Sequence, residues 1–109
     1  MYKRQAFGNQ KQAIDFIYQD ATERPFNVDV YVPPVISYAY DYLFLWYGQN
    51  KYGYLPSEEQ IGLLYTLYEV DDIQPNRLKE WLGRMDSIGN IVAPEKSFGG
   101  IHVQKRVRL

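Results

Sequence analysis

The stretch QPNRLKEWLGRMDSIGNI, Gln74 to Ile91, constrains the fold most, because it spells out a complete helix that runs straight into a strand. Pro75 suits the first helical turn, where its missing N–H would have had no partner. Leu78, Trp81, Leu82, Met85 and Ile88 recur at i, i+3, i+4, i+7 and i+10, one continuous face. Gly89 stands where a helix-ending glycine is expected. NIVA then reads as a strand, PEKSFGG as a loop bounded by Pro and Gly, and IHVQKRVRL as a second strand. In that last strand Ile101, Val103 and Lys105 share one side, and His102, Gln104, Arg106 and Arg108 share the other. A one-sided helix followed by a hairpin needs further elements upstream to bury its stripe.

The first 73 residues carry the patterns of such elements. NQKQAIDFIYQD, Asn9 to Asp20, predicts a short helix capped by Asn9, with Ala13, Ile14, Ile17 and Tyr18 as its stripe. NVDVYV, Asn27 to Val32, alternates strictly and predicts a strand that Pro33 and Pro34 stop. VISYAYDYLFLWYGQN, Val35 to Asn50, is apolar nearly all round, the pattern of a central helix. KYGYLP is expected to turn into a very short strand. Ser57 and Gln60 form a capping-box pattern, which predicts a helix from there to about Val70 with Ile61, Leu64, Tyr65 and Tyr68 as its stripe.

At 109 residues the chain is expected to hold one domain with a substantial core. It has no cysteine, which removes disulfides, thiolate metal sites and a cysteine nucleophile. No apolar run approaches the ~20 residues of a membrane span, and no signal peptide is recognised at the start, so a cytoplasmic location in a bacterial host is expected. Residues 1–95 carry a charge balance of -5 and residues 96–109 one of +4, so an acidic body ends in a basic tail. The codons GTG TAT AAG AGA CAG would encode the first five residues, MYKRQ, and that string resembles the end of a transposase adapter used in library preparation. The resemblance implies that residues 1–5 are a sequencing artefact and say nothing about the fold.

The order from Val35 onward is helix, short link, helix, tight turn, helix, strand, loop, strand. With YGYLPSEEQIG leading into the second helix and NRLKEWLGRMDSIGNI as the third, residues 52–108 resemble a winged helix-turn-helix domain. They are similar to the DNA-binding domain of the bacterial SOS repressor and to the N-terminal domains of phage and plasmid replication initiators. The resemblance implies an α+β fold with a three-helix core and a two-stranded wing over residues 33–109, and an N-terminal extension over residues 1–32. One departure is the turn EVDDIQP, acidic and without glycine, where the family has a small residue.

The resemblance implies a DNA-binding module of phage or mobile-element type, a replication initiator or transcriptional regulator. Its third helix would enter the major groove of double-stranded DNA, and its wing would grip phosphates. The residues that would do so are Asn76, Arg77, Lys79, Arg84 and Ser87 on the helix, and Lys96, Lys105, Arg106 and Arg108 on the wing. An ordinary solvated helix face and a charged strand edge that resists aggregation explain the same residues without DNA. The acidic body and eleven tyrosines support a second class, a protein-binding domain such as a small phage inhibitor of the anti-CRISPR kind. The aromatic helix Tyr38 to Trp46 is a candidate homodimer face.

No catalytic residue, cofactor or metal is expected. His102 is the only histidine, and there is no glycine-rich phosphate loop, GxSxG or HExxH. Among the acids, Glu58, Glu59, Glu69, Asp71 and Asp72 read as helix-end and loop residues.

Overall fold

The structure, a computed structural model, describes residues 2–32, 39–69 and 74–109, and the side chains of these from residue 8 onward except at 39 and 41. Met1, the two prolines at 33–34, the 35–38 part of the expected central helix and the acidic turn at 70–73 lie outside it, as do the side chains of residues 2–7, 39 and 41. The fold is α+β. The elements are α1 (Tyr2–Ala21), β1 (Asn27–Tyr31), α2 (Ala39–Leu43), a π-helical stretch (Phe44–Gly48), α3 (Gln49–Tyr52), β2 (Leu63–Glu69), α4 (Pro75–Ile88), β3 (Gly89–Ile91), β4 (Lys96–Phe98) and β5 (Ile101–Arg108).

The five strands form one mixed sheet, ordered β1-β2-β5-β3, with β4 also on β5. β1 runs parallel to β2, Val28 opposite Tyr65 and Val30 opposite Leu67. β2 and β5 are antiparallel from Leu63↔Val107 to Glu69↔Ile101. β3 and β4 lie one after the other along the far side of β5, against Arg106–Arg108 and Ile101–Val103. Gly99 and Gly100 make the tight turn between β4 and β5. Gly99 has φ +67, and a Cβ there would run into the Asn9 side chain.

The expected second helix is a strand. Ser57 does not start a helix: its Oγ accepts from the Glu59 N–H at 3.1 Å in a local turn. Gly62 follows, and LLYTLYE brings Tyr, Thr and Tyr, side chains that pack well on a pleated surface. Leu64, Tyr65, Thr66 and Leu67 are all buried, two on each face. A strand covered on both faces reads as a continuous apolar run, which periodicity does not separate from a buried helix. The three-helix core expected from sequence therefore lacks its second member.

Residues 8–32 are not an appendage. Ile14, Ile17 and Tyr18 of α1 are buried against Tyr65, Leu67, Ile101 and Val103 in one cluster that also takes in Phe26, Tyr40, Leu43 and Phe44. The division expected at residue 32 thus separates no cores. Burying each of Ile14 and Ile17 contributes about 1.5–3 kcal/mol. α4 covers the opposite face, with Trp81 and Met85 buried and the Trp81 ring 5.7 Å from Tyr31 and 6.4 Å from Tyr68. The result is three layers, helix, sheet and helix. Among the described residues no helix is long and apolar enough to cross a membrane.

The helical segment over 39–52 carries the parallel crossover from β1 to β2. It continues two residues past Asn50, the expected end, and is closed by Gly53 in the left-handed conformation with φ +89. Gly48 is needed for space: a Cβ would sit 2.7 Å from the buried Tyr18 ring. That ring stacks on Tyr52 at 4.5 Å, and its hydroxyl donates to the Tyr54 carbonyl at 2.7 Å. Gly89 is not a left-handed cap. It is extended (φ -157) and opens β3, where a Cβ would press on the Val107 carbonyl at 3.0 Å. Two glycine-to-alanine changes should therefore differ in sign. Gly48→Ala is expected to lower stability by about 1–3 kcal/mol through overpacking. Gly83→Ala, mid-helix with open space around it, is expected to raise stability by up to about 1 kcal/mol. Urea unfolding followed by circular dichroism checks both.

Candidate functional site

α4 keeps the outer face that its sequence implies. Leu78, Leu82 and Ile88 are half-buried beside Trp81 and Met85, while Asn76, Arg77, Lys79, Glu80, Arg84 and Ser87 are exposed. Ser87 Oγ donates to the Arg84 carbonyl at 2.7 Å. Asn76, Lys79 and Glu80 line a shallow depression. Lys96 on β4 is exposed too.

The basic wing is not assembled. β5 lies inside the sheet rather than at its edge, so its cations are used internally. Lys105, on the α1 side, pairs with Asp20 at 2.9 Å. Arg108 donates to the Ile61 carbonyl at 3.0 Å and to Asn27 Oδ1 at 2.8 Å. Arg106 is only 1% exposed. Its Nε donates to Thr66 Oγ1 at 3.2 Å and its Nη2 to Gln104 Oε1 at 2.8 Å. Nη1 donates at 2.8 Å both to the Gly89 carbonyl and to Asp86 Oδ1. Of the nine residues expected at DNA, the structure leaves Asn76, Arg77, Lys79, Arg84, Ser87 and Lys96 on the surface. Arg106 is buried, and Lys105 and Arg108 are half-buried and bonded to Asp20, Ile61 and Asn27.

Arg106 belongs to a polar layer between the sheet and α4. Thr66 Oγ1 donates to Gln104 Oε1 at 2.9 Å, and Gln104 Nε2 donates to Glu95 Oε1 at 3.0 Å. Tyr68 donates to the same Glu95 oxygen at 3.0 Å and stacks on His102 at 4.9 Å. His102 Nδ1 lies 2.8 Å from Ser97 Oγ and 3.2 Å from Glu95 Oε2. Both partners approach the same ring nitrogen. A nucleophile–base–carboxylate relay needs them on opposite nitrogens, so this trio is not arranged as one. Among the described residues no three His, Asp or Glu side chains are placed to hold a metal ion. Sequence reading missed the layer. Its signal was Arg106 on the same strand side as Gln104, in a strand whose other side is apolar except for Lys105.

A second surface lies on the helical layer. Tyr42 and Trp46, one turn apart, stack at 6.0 Å and are 60% and 44% exposed, with Leu45 between them at 55%. The Lys11 ammonium stands 5.6 Å from the centre of the Trp46 ring. The Tyr38 end of the expected dimer face lies outside the described residues. No family model matches the chain, and neither a curated protein nor a solved structure matches it.

The titrating groups are mainly structural. Burial would raise the Asp20 carboxyl, but hydrogen bonds from Tyr65 and Lys105, with the Lys105 and Arg24 charges, hold it below its ordinary value. Burial pushes the hydroxyls of Tyr18, Tyr40 and Tyr65 upward, and adjacent carboxylates add to this for Tyr40 and Tyr65. Burial and Glu95 push Tyr68 up to about 12. Above about pH 10 the unfolded chain releases tyrosine protons that the folded state keeps. Stability is therefore expected to fall from about pH 10 towards about pH 12, while the depressed Asp20 carboxyl costs stability only in acid. Urea midpoints taken at about pH 8 and about pH 11 check the fall, and Tyr65→Phe should flatten it in part. For the polar layer, Arg106→Ala strands the Gly89 carbonyl, leaves Gln104 Oε1 with Thr66 as its one remaining donor, and should cost about 3 kcal/mol. Asp86→Asn, at a largely exposed carboxylate, should cost under about 1 kcal/mol. The same unfolding assay separates the two.

Proposed function

We propose that this chain is a non-enzymatic binding module that meets a protein partner through the aromatic side of its helical layer. The observation that carries this reading is the exposed group Tyr42, Leu45 and Trp46. Rigid aromatic side chains offer large contact area at small entropic cost, and they are enriched where proteins meet. The charge distribution supports it: the acidic body remains, and three of the four tail cations are tied to internal partners.

A second reading keeps double-stranded DNA as the partner. It is favoured by α4, whose outer face presents Asn76, Arg77, Lys79 and Arg84, while Asp86 is neutralised by Arg106. The winged-helix resemblance supports this reading through α4 and the hairpin, but its second helix is replaced by β2. With three helix cations and Lys96 left to meet phosphates, any such binding would be weak and salt-sensitive.

The two readings part in paired assays. Random duplex DNA should show no mobility shift at low salt, and chemical cross-linking in lysate should capture a discrete set of proteins that Leu45→Asp abolishes. A salt-dependent shift removed by Lys79→Ala with Arg84→Ala would replace the protein reading by the DNA one. Concentration-dependent sedimentation lost in Trp46→Ala would make the partner a second copy of the chain.

A further inference from the structure

We propose that the outer edge of β1 receives an extended peptide whose side chains alternate between apolar and basic. The proposal rests on the protein-binding reading and names the partner's chemistry. β1 ends the sheet, and among the described residues its only strand partner is β2. All five of its residues are half-exposed. Edge strands are usually blunted by charged residues, Pro, a bulge or a covering loop. NVDVY has no Lys, Pro or bulge; its one charge is Asp29, and the loop at 57–59 bonds only its start, at Phe26 and Asn27.

Two cavities flank this one edge, on opposite faces of the sheet. Val28 and Val30 point to the helical layer, where they line an open cavity of about 260 Å³ with Phe44, Leu45, Leu55 and Pro56. Asn27 and Asp29 point to the α4 side, where they line a cleft of about 250 Å³ with Ser57, Glu58, Glu59 and Arg108. The two share Val28, Pro56 and Glu58, so they meet at the strand edge. Asp29, Glu58 and Glu59 form no ion pair with a described residue. Arg108 faces inward to Asn27 and Ile61, so three carboxylates against one cation leave the cleft acidic.

A strand added to β1 would send successive side chains to opposite faces. One set would enter the apolar cavity, and the next would stand over the acidic cleft. Main-chain hydrogen bonds would supply affinity and the two cavities selectivity, the logic of strand addition. The occupant is thus an extended segment with Val- or Leu-like residues alternating with Lys or Arg. A second copy of β1 fits worse, because its Asp29 would be brought to a cleft already rich in carboxylates. Leu45 joins this groove to the exposed Tyr42–Trp46 group.

The test titrates three blocked peptides of equal length into the full chain, with backbone amides followed by NMR. One alternates Val and Lys, one alternates Val and Glu, and one has the Val and Lys residues in two blocks. The alternating Val/Lys peptide should perturb the amides of Asn27–Tyr31 and 55–60 and slow exchange along β1. The other two should bind roughly tenfold more weakly or worse. Glu58→Lys with Glu59→Lys, both at exposed positions, should turn the preference towards the Val/Glu peptide. Equal binding of the Lys and Glu peptides, or no perturbation of β1 amides by any of them, overturns the proposal. If lysate capture through Leu45 persists while no peptide touches β1, strand addition falls and the protein-binding reading stands. Peptide binding at β1 without lysate capture supports strand addition and removes only the aromatic face as the site of contact.

Discussion

The antiparallel pairing of β2 with β5 decides most of what this molecule can be. It is the longest pairing in the sheet, from Leu63↔Val107 to Glu69↔Ile101, and helices cover both of its faces. Once these two strands are central, every side chain on them must be satisfied inside. Lys105 reaches Asp20, and Arg106 spends four donor hydrogens on Thr66, Gln104, Asp86 and Gly89. A buried guanidinium is costly unless its hydrogens are paired. The polar layer is therefore a condition of the sheet. The same pairing leaves β1 at one rim and the split β3 and β4 at the other.

The tyrosines explain how the helical layers hold to that sheet. Their rings fill the core, and their hydroxyls find fixed acceptors. Tyr65 donates to Asp20 on α1, and Tyr40 donates to Glu69 on β2 at 2.6 Å. Tyr47 and Tyr52 converge on Asp15, at 2.9 and 2.6 Å. Tyr54 reaches the Arg24 carbonyl at 3.2 Å. Each bond adds modestly to stability, but a buried hydroxyl left unpaired would cost more than the bond gains. Asp15 in particular joins α1 to the segment over 39–52 through two phenols and the Lys51 ammonium.

Much of this was legible in the sequence, and the exceptions have physical causes. α4 was legible because Pro75 and five apolar positions agree on one face. The two sides of β5 were legible because period-2 alternation survives when one side is apolar. The cap-like Ser57 misled, because the same hydroxyl serves a local turn as readily as a helix start. LLYTLYE misled because burial on both faces erases alternation. Arg106 and Arg108 were placed on the correct side of their strand, but strand order is not written in a local pattern. Whether that side faces water or α4 depends on which neighbours β5 acquires. The aromatic segment around Trp46 was visible, but its exposure depends on which turn faces the sheet.

The two tryptophans occupy opposite layers. Trp81 is 7% exposed beneath α4 against Tyr31 and Tyr68, and Trp46 stands on the outer skin beside Lys11. Their emission should differ in colour, blue-shifted for the enclosed indole and red-shifted for the wetted one. An added quencher should reach one long before the other. The molecule thus carries a built-in pair of optical gauges, one reading the integrity of the interior and the other reading contact at the rim.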